Sequence, residues 1–164
     1  MKIDDPKTLF ERWFSAPIKL LDKQLERGEG AISGMMVALP LFERFIHIKK
    51  SRDATGRSFY EIMADELCLP SAEVAEEFWT TFRHGFCHTG MPFDKDRGGN
   101  PLPGVSFHHQ HPKFPAKVTD KDGKEVFKID PWKFIYHVHD LYVTDPSLLE
   151  QHSQAPLLPI HVLV

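Results

Sequence analysis

The sequence predicts a mainly all-α fold, a helical bundle of about five helices with a small β-hairpin inserted before the last helix. Three observations carry this. Apolar residues recur at three- and four-residue spacing through several long stretches. Helix starts are marked by Asp-Pro, Ser-x-x-Glu and Ser signals just ahead of those stretches. A turn of the hairpin kind, Asp120-Lys-Asp-Gly123, separates two short runs near residues 114–119 and 125–129.

Asp5-Pro6 is an N-cap followed by a proline at the first helical position, after which Leu9, Phe10, Trp13 and Phe14 recur at helical spacing. Pro17 is expected to divide this segment, with Ile18, Leu21 and Leu25 carrying the stripe on to Gly28 and Gly30. A second helix presents Ile32, Met35, Met36, Leu39, Phe42, Phe45 and Ile46 on one broad face, and Pro40 within it predicts a kink. Lys49 to Arg57 reads as a charged loop. Ser58 and Glu61 form a capping box for a short helix ending at Leu69-Pro70. Ser71 caps the next helix, in which Val74, Phe78 and Phe82 are spaced by four, and Gly90 and Pro92 stop it. Met91 to Gly104 reads as a long loop. Asp130-Pro131 opens the last helix, with Phe134, Ile135, Val138, Leu141 and Tyr142 on its inner face. The insertion spans about residues 105–129, a length typical of a hairpin with its flanks.

A chain of 164 residues without an internal repeat is expected to form one domain over 1–164. Its 41% hydrophobic and 26% charged fractions are those of a globular protein and exclude a disordered one. The apolar run from Met35 to Phe42 is too short to cross a bilayer, and Met-Lys-Ile-Asp-Asp-Pro is not the start of a signal peptide. The expectation is a cytoplasmic protein with no membrane partner. Cys68 and Cys87 lie in apolar segments without metal spacing and read as reduced core residues. A net charge of −3 excludes a generic nucleic-acid coat, so any RNA binding must come from a local positive site.

The stretch Arg83-His84-Gly85-Phe86-Cys87-His88 closes the fourth helical segment. Arginine stays charged and forks onto phosphate oxygens, while histidine exchanges protons near neutral pH. These residue types suit phosphoryl-transfer or ribonucleolytic chemistry. On an ideal helix His84 and His88 share a face, whereas Arg83 and His88 lie about 140° apart. One copy would strain to place both on one phosphate, and two copies packed about a twofold axis would pool their residues. His88, in the last turn, would be held toward its charged form by the helix dipole.

An arginine followed by a polar residue, three more positions and a histidine resembles the signature of the HEPN superfamily. That resemblance implies an α-helical bundle with the motif on a late helix. It also implies metal-independent endoribonuclease activity in toxin–antitoxin or other defence systems, with an active site shared across a homodimer. No cofactor and no metal are expected. RNA, a second copy of the chain, and an antitoxin or other protein partner are the expected partners. His88 would be the principal acid or base, Arg83 would hold the phosphate, and His84 would orient His88 or bind phosphate. The products would be a 2′,3′-cyclic phosphate and a 5′-hydroxyl. Two alternatives stand beside this: a non-catalytic HEPN-like module that binds nucleic acid, nucleotide or a protein, and a histidine-cluster metal-binding protein. In the plainest reading, Arg83 only pairs with Glu76, Glu77 or another acid, and His88 only caps its helix.

Other constellations are less specific. His108, His109 and His111, followed by Lys113, place imidazoles close enough for a borderline metal, but no cysteine pair or His-Glu-x-x-His accompanies them. Folded over the motif helix, these four would supply substrate-binding contacts to phosphate. Lys117, Lys121, Lys124 and Lys128 continue a lysine series that reads as a solvated face. His137, His139 and Asp140 form a partial catalytic set in which Asp140 and one histidine read as surface groups.

Overall fold

The computed structural model describes residues 5–24, 29–85, 94–96, 98–108 and 114–150. Asp5 starts the first helix as predicted, its carboxylate accepting from the backbone N–H groups of Lys7 at 3.0 Å and Thr8 at 3.2 Å. Helix α1 (Pro6–Phe10) runs through a π-helical turn, Glu11–Ser15, into α2 (Ala16–Gln24). Pro17 does not divide this rod as expected. Its ring crowds the carbonyl one turn back and offers no N–H. The wider π turn, in which Ala16 N–H reaches Glu11 O, accommodates it with helical residues on both sides.

Helix α3 (Glu29–Arg52) is the longest element. It retains Pro40, whose ring sits on the exposed side where the lost hydrogen bond is met by solvent. The helix also absorbs Lys49 to Arg52, which the sequence reading placed in a loop. Lys49, Lys50 and Arg52 fall in the last turn, where positive charge complements the C-terminal carbonyls. Asp53 then closes the connection, accepting from Thr55 and Arg57. These bonds hold its carboxyl far below the usual carboxylate range.

The capping box of α4 (Phe59–Glu66) forms in both directions: Glu61 N–H donates to Ser58 Oγ at 3.1 Å, and Ser58 N–H to Glu61 Oε2 at 2.6 Å. Cys68 follows it in the left-handed region, φ 52°, and is exposed. It is therefore not the core residue expected from its apolar neighbours, because a chain reversal after α4 turns its side chain outward. Cys87 lies outside the described residues. Ser71 caps α5 (Ala72–Trp79), which continues through a second π turn, Thr80–His84. The predicted stop at Gly90 and Pro92 also lies outside the described residues.

The insertion is a three-stranded sheet and not a bare hairpin. Strands β2 (Ala116–Thr119) and β3 (Glu125–Ile129) pair antiparallel around the predicted turn. Asp120 Oδ1 gathers the N–H groups of Asp122 and Lys124, and Gly123 takes a φ of 77° that suits its lack of a Cβ. Strand β1 (Gly104–Phe107) adds in parallel to the far side of β3, giving the order β1-β3-β2. Asp130 then caps α6 (Pro131–Thr144) through the N–H groups of Trp132 and Lys133, and a short α7 (Ser147–Glu150) follows.

The core lies where α3, α5, β3 and α6 meet. Phe42 meets the edge of Phe134 with ring centroids 5.4 Å apart, and Phe78 meets that of Phe127 at 5.6 Å. Such edge-on contacts match the ring quadrupoles while removing large apolar areas from water. Gly34 sets the closeness of α3 to α6: a Cβ there would stand 2.5 Å from Ile135 Cδ1. Two tyrosine hydroxyls pin α6, Tyr142 donating to Leu41 O at 2.9 Å and Tyr136 to Asp22 Oδ2 at 2.5 Å. Burial and Asp22 raise the Tyr136 pKa to about 12. By length and composition, Gly30–Arg52 is the one helix among the described residues that passes for a membrane span. Half of it is buried within this core, as expected of a helix that packs against α6 and not of one that faces lipid.

Candidate functional site

Arg83 sits in the π turn that ends the α5 rod. Phe78 and Phe82 anchor this rod in the core and turn Arg83 toward α3. There its Nε donates to Glu43 Oε2 at 2.9 Å. The arginine side chain is 22% exposed and the glutamate 31%. Glu43 is thus the acid that pairs with Arg83. Glu76 does not hold it, and Glu77 is committed elsewhere. A guanidinium has five N–H donors, and the contact through Nε leaves its outer edge geometrically suited to a second, planar acceptor such as phosphate. Tyr60 stands close enough to feel Glu76 and Glu43. Burial first, then these two carboxylates, hold its hydroxyl above its ordinary pKa.

The motif helix is not the uniform α-helix from which the 140° separation follows. Arg83 and His84 belong to the π turn, where the residue-to-residue rotation is smaller. His84 is half-buried and engaged with its surroundings. Beside them, the hydroxyl of Thr81 is fully buried with no hydrogen-bond partner. His88 lies outside the described residues, so the structure places Arg83 and His84 but not the third member of the motif.

Of the second cluster, His108 is described. It is exposed at the end of β1, and its N–H donates to Ile129 O at 2.9 Å, prolonging the parallel ladder by one bond. His109, His111 and Lys113 lie outside the described residues. Among the described residues no group of three His, Cys, Asp or Glu side chains is arranged to hold a metal ion.

Two readings from the sequence need correction. Lys117 is not part of a solvated face. Its side chain is 17% exposed and bonds both Glu77 at 2.8 Å and Glu125 at 2.9 Å, tying the sheet to α5. These two acids raise its pKa against the opposing effect of burial. Nor is either histidine of α6 a surface group. His137 packs against Phe114, 4.5 Å between centroids, and Phe42. Its Nε2 is buried without a partner, and burial lowers its pKa. His139 bridges Ser15 Oγ (3.1 Å, through Nε2) and Asp140 Oδ1 (3.2 Å, through Nδ1), with Asp140 itself at the surface. This has the order of a serine-hydrolase relay, yet Ser15 is completely buried in the first π turn, and Glu11 also hydrogen-bonds it. Its oxygen meets no solvent, so the contact is a tie between α6 and the first rod.

Sequence reasoning missed Glu43, Lys117 and the Ser15–His139 tie. The only trace of Glu43 in the sequence is an acid set between the core residues Phe42 and Phe45. Scanning protein-family models, curated proteins and solved structures gives no match to this chain.

Proposed function

We propose that this protein is a HEPN-like, metal-independent endoribonuclease in which Arg83 holds the scissile phosphate and His88 transfers protons. The observation that carries the reading is the setting of Arg83: a partly exposed guanidinium, oriented through Nε by Glu43, beside His84 at the end of a helix within a bundle. A cation fixed in advance stabilises charge developing on phosphate oxygens without reorganising during the reaction. In the proposed step the ribose 2′-oxygen forms a bond to phosphorus while the bond from phosphorus to the 5′-oxygen breaks. A neutral imidazole takes the 2′-hydroxyl proton and an imidazolium gives one to the departing 5′-oxygen. His88 fills one of these roles, and His84 or the His88 of a second copy fills the other. Defence or toxin biology follows from the resemblance alone.

A second reading is favoured by the same ion pair. Glu43 neutralises much of the charge of Arg83, as suits a module that binds nucleic acid, nucleotide or a protein partner without catalysis. One experiment separates the two. The full chain is incubated with mixed RNAs in EDTA beside Arg83→Ala and His88→Ala. The ribonuclease reading expects cyclic-phosphate products from the parent chain and a loss of orders of magnitude in both variants, with unchanged circular dichroism. Cleavage that survives both substitutions removes the proposed site. RNA binding without cleavage establishes the second reading.

A further inference from the structure

Six large apolar side chains are exposed among the described residues, and four of them gather on one face. The first rod runs antiparallel along α3. A Cβ at Gly34 would stand 3.6 Å from Ile18 Cδ1, and one at Gly30 would stand 3.0 Å from Leu21 O. Helix α6 covers one side of this pair, through His139 on Ser15 and Tyr136 on Asp22. The opposite side carries Trp13, Pro17 and Leu20 from the first rod, and Met36, Val37 and Pro40 from α3. Trp13, Leu20, Met36 and Val37 are each 40% to 54% exposed. Both rows step by three and four residues, so their side chains line a shallow seam along the two helix axes.

Arg44, one turn beyond Pro40 on the same row, ends the seam. Its side chain is partly buried, its Nε is buried without a partner, and it forms no ion pair among the described residues. Burial lowers its pKa, and the one group near enough to oppose this is the Tyr142 hydroxyl. A guanidinium stays charged even so. The acids closest in sequence are engaged elsewhere: Glu11 with Lys19, Asp22 with Tyr136 and Glu43 with Arg83. The seam therefore joins an apolar strip to a cation that lacks a carboxylate. A second copy does not supply one, because a twofold contact brings the same acid-free face against itself. Segment 151–164 does not supply one either, since it contains neither Asp nor Glu.

We propose that this face docks an amphipathic α-helix of another protein, with its apolar stripe in the seam and an acidic side chain on Arg44. A third helix fills the seam between two antiparallel helices with side chains at matching spacing. Trp13 is the anchor, a large exposed ring of the kind that dominates such contacts once buried. This contact is independent of the ribonuclease reading.

The probe is a labelled peptide of about three heptads with Leu at a and d and Glu at e and g, beside a counterpart with Lys for every Glu. Anisotropy is measured with the full chain at physiological salt. The glutamate peptide is expected to bind about tenfold tighter than the lysine peptide, with a blue shift in emission that Trp13→Phe removes. Leu20→Asp should weaken it by about tenfold or more, and Arg44→Gln should bring the two peptides within about threefold of each other. Melting temperature and circular dichroism confirm that each variant is native. Equal affinity of the two peptides for the parent chain, or no binding of either up to about 1 mM, overturns the acidic helical partner. Unchanged binding in Leu20→Asp overturns the location, and a full preference for glutamate in Arg44→Gln overturns the role of the arginine. A dimer that Val37→Asp dissociates in sedimentation assigns the face to a second copy. Tighter peptide binding by Leu158→Asp assigns it to the chain's own segment 151–164, and either result overturns docking of another protein.

Discussion

Arg83 and Glu43 face each other across forty positions of sequence, and their contact runs through Nε, the atom farthest from the forked end of the guanidinium. The pair fixes the arginine without occupying the edge that a phosphate would take. Glu43→Gln keeps a hydrogen-bond acceptor but removes the charge. It should lower stability by about 1 kcal/mol or less, since both groups are partly solvated. If the ribonuclease reading holds, it should reduce cleavage by less than Arg83→Ala does, with the loss in kcat and not KM. An unchanged rate in Glu43→Gln would show that the glutamate does not position the arginine.

His137 gives the fold an acid sensitivity with a definite sign. Burial lowers its pKa below the ordinary 6.5, against the opposing pull of Glu66 and Asp140. On acidification the unfolded chain therefore takes up the proton before the folded one. The contribution of neutral His137 is fully present above about pH 6.5 and is lost as the pH falls from there toward the lower folded value. His137→Phe should flatten this dependence between about pH 7.5 and about pH 5 in denaturant titrations. Parallel curves for the two proteins would assign the acid sensitivity to another group.

Lys117 joins elements that share no backbone hydrogen bond. Lys117→Met keeps most of the aliphatic stem but removes both ion pairs, and because Glu77 and Glu125 are 37% and 61% exposed a loss of about 1 kcal/mol or less is expected. Because the lysine links β2 to α5, amide exchange in β2 should accelerate more than that in α4. Uniform acceleration would place its role elsewhere.

Gly34 separates two opposing effects on one helix. An alanine improves helix propensity by about 1 kcal/mol, and the atom it would meet, Ile135 Cδ1, is the movable end of a side chain. A valine brings two further carbons into the same space. Gly34→Ala should stay within about 1 kcal/mol of the parent, and Gly34→Val should cost about 1–3 kcal/mol. Equal stabilities from thermal melts would show that α3 and α6 can move apart freely.

What the sequence made legible was local. Asp5, Ser58 with Glu61, Ser71, Asp120 to Gly123 and Asp130 all do what their chemistry predicts, because each bonds to backbone within four residues of itself. The apolar stripes also landed on the core, except that Trp13 and Met36, counted on them, face solvent at 52% and 40% exposure. The misses share the opposite property. Strand β1 depends on a partner far along the chain, and Gly-Val-Ser-Phe is too short to announce itself. Glu43, Lys117 and His139 act through partners on other helices or strands, so no spacing rule reports them. Pro17 misled because a π turn, which has no sequence signal of its own, relieved the clash that the proline creates. For the candidate site, the sequence supplied Arg83 and His84 but not the acid that orients the arginine.

The strand order also sets an expectation for how the sheet is built and dismantled. The β2–β3 ribbon closes through a tight turn, an event of about microseconds. Strand β1 must instead wait for that ribbon and then find its outer edge by a long crossing, which is slow because the intervening chain loses its freedom first. Gly104 to Phe107 is thus expected to be the last part of the sheet to form. The residue with the largest apolar exposure in the sheet, Phe107, stands on it. Loss of β1 would bare the edge of β3, which is then expected to offer another chain an open strand to pair with.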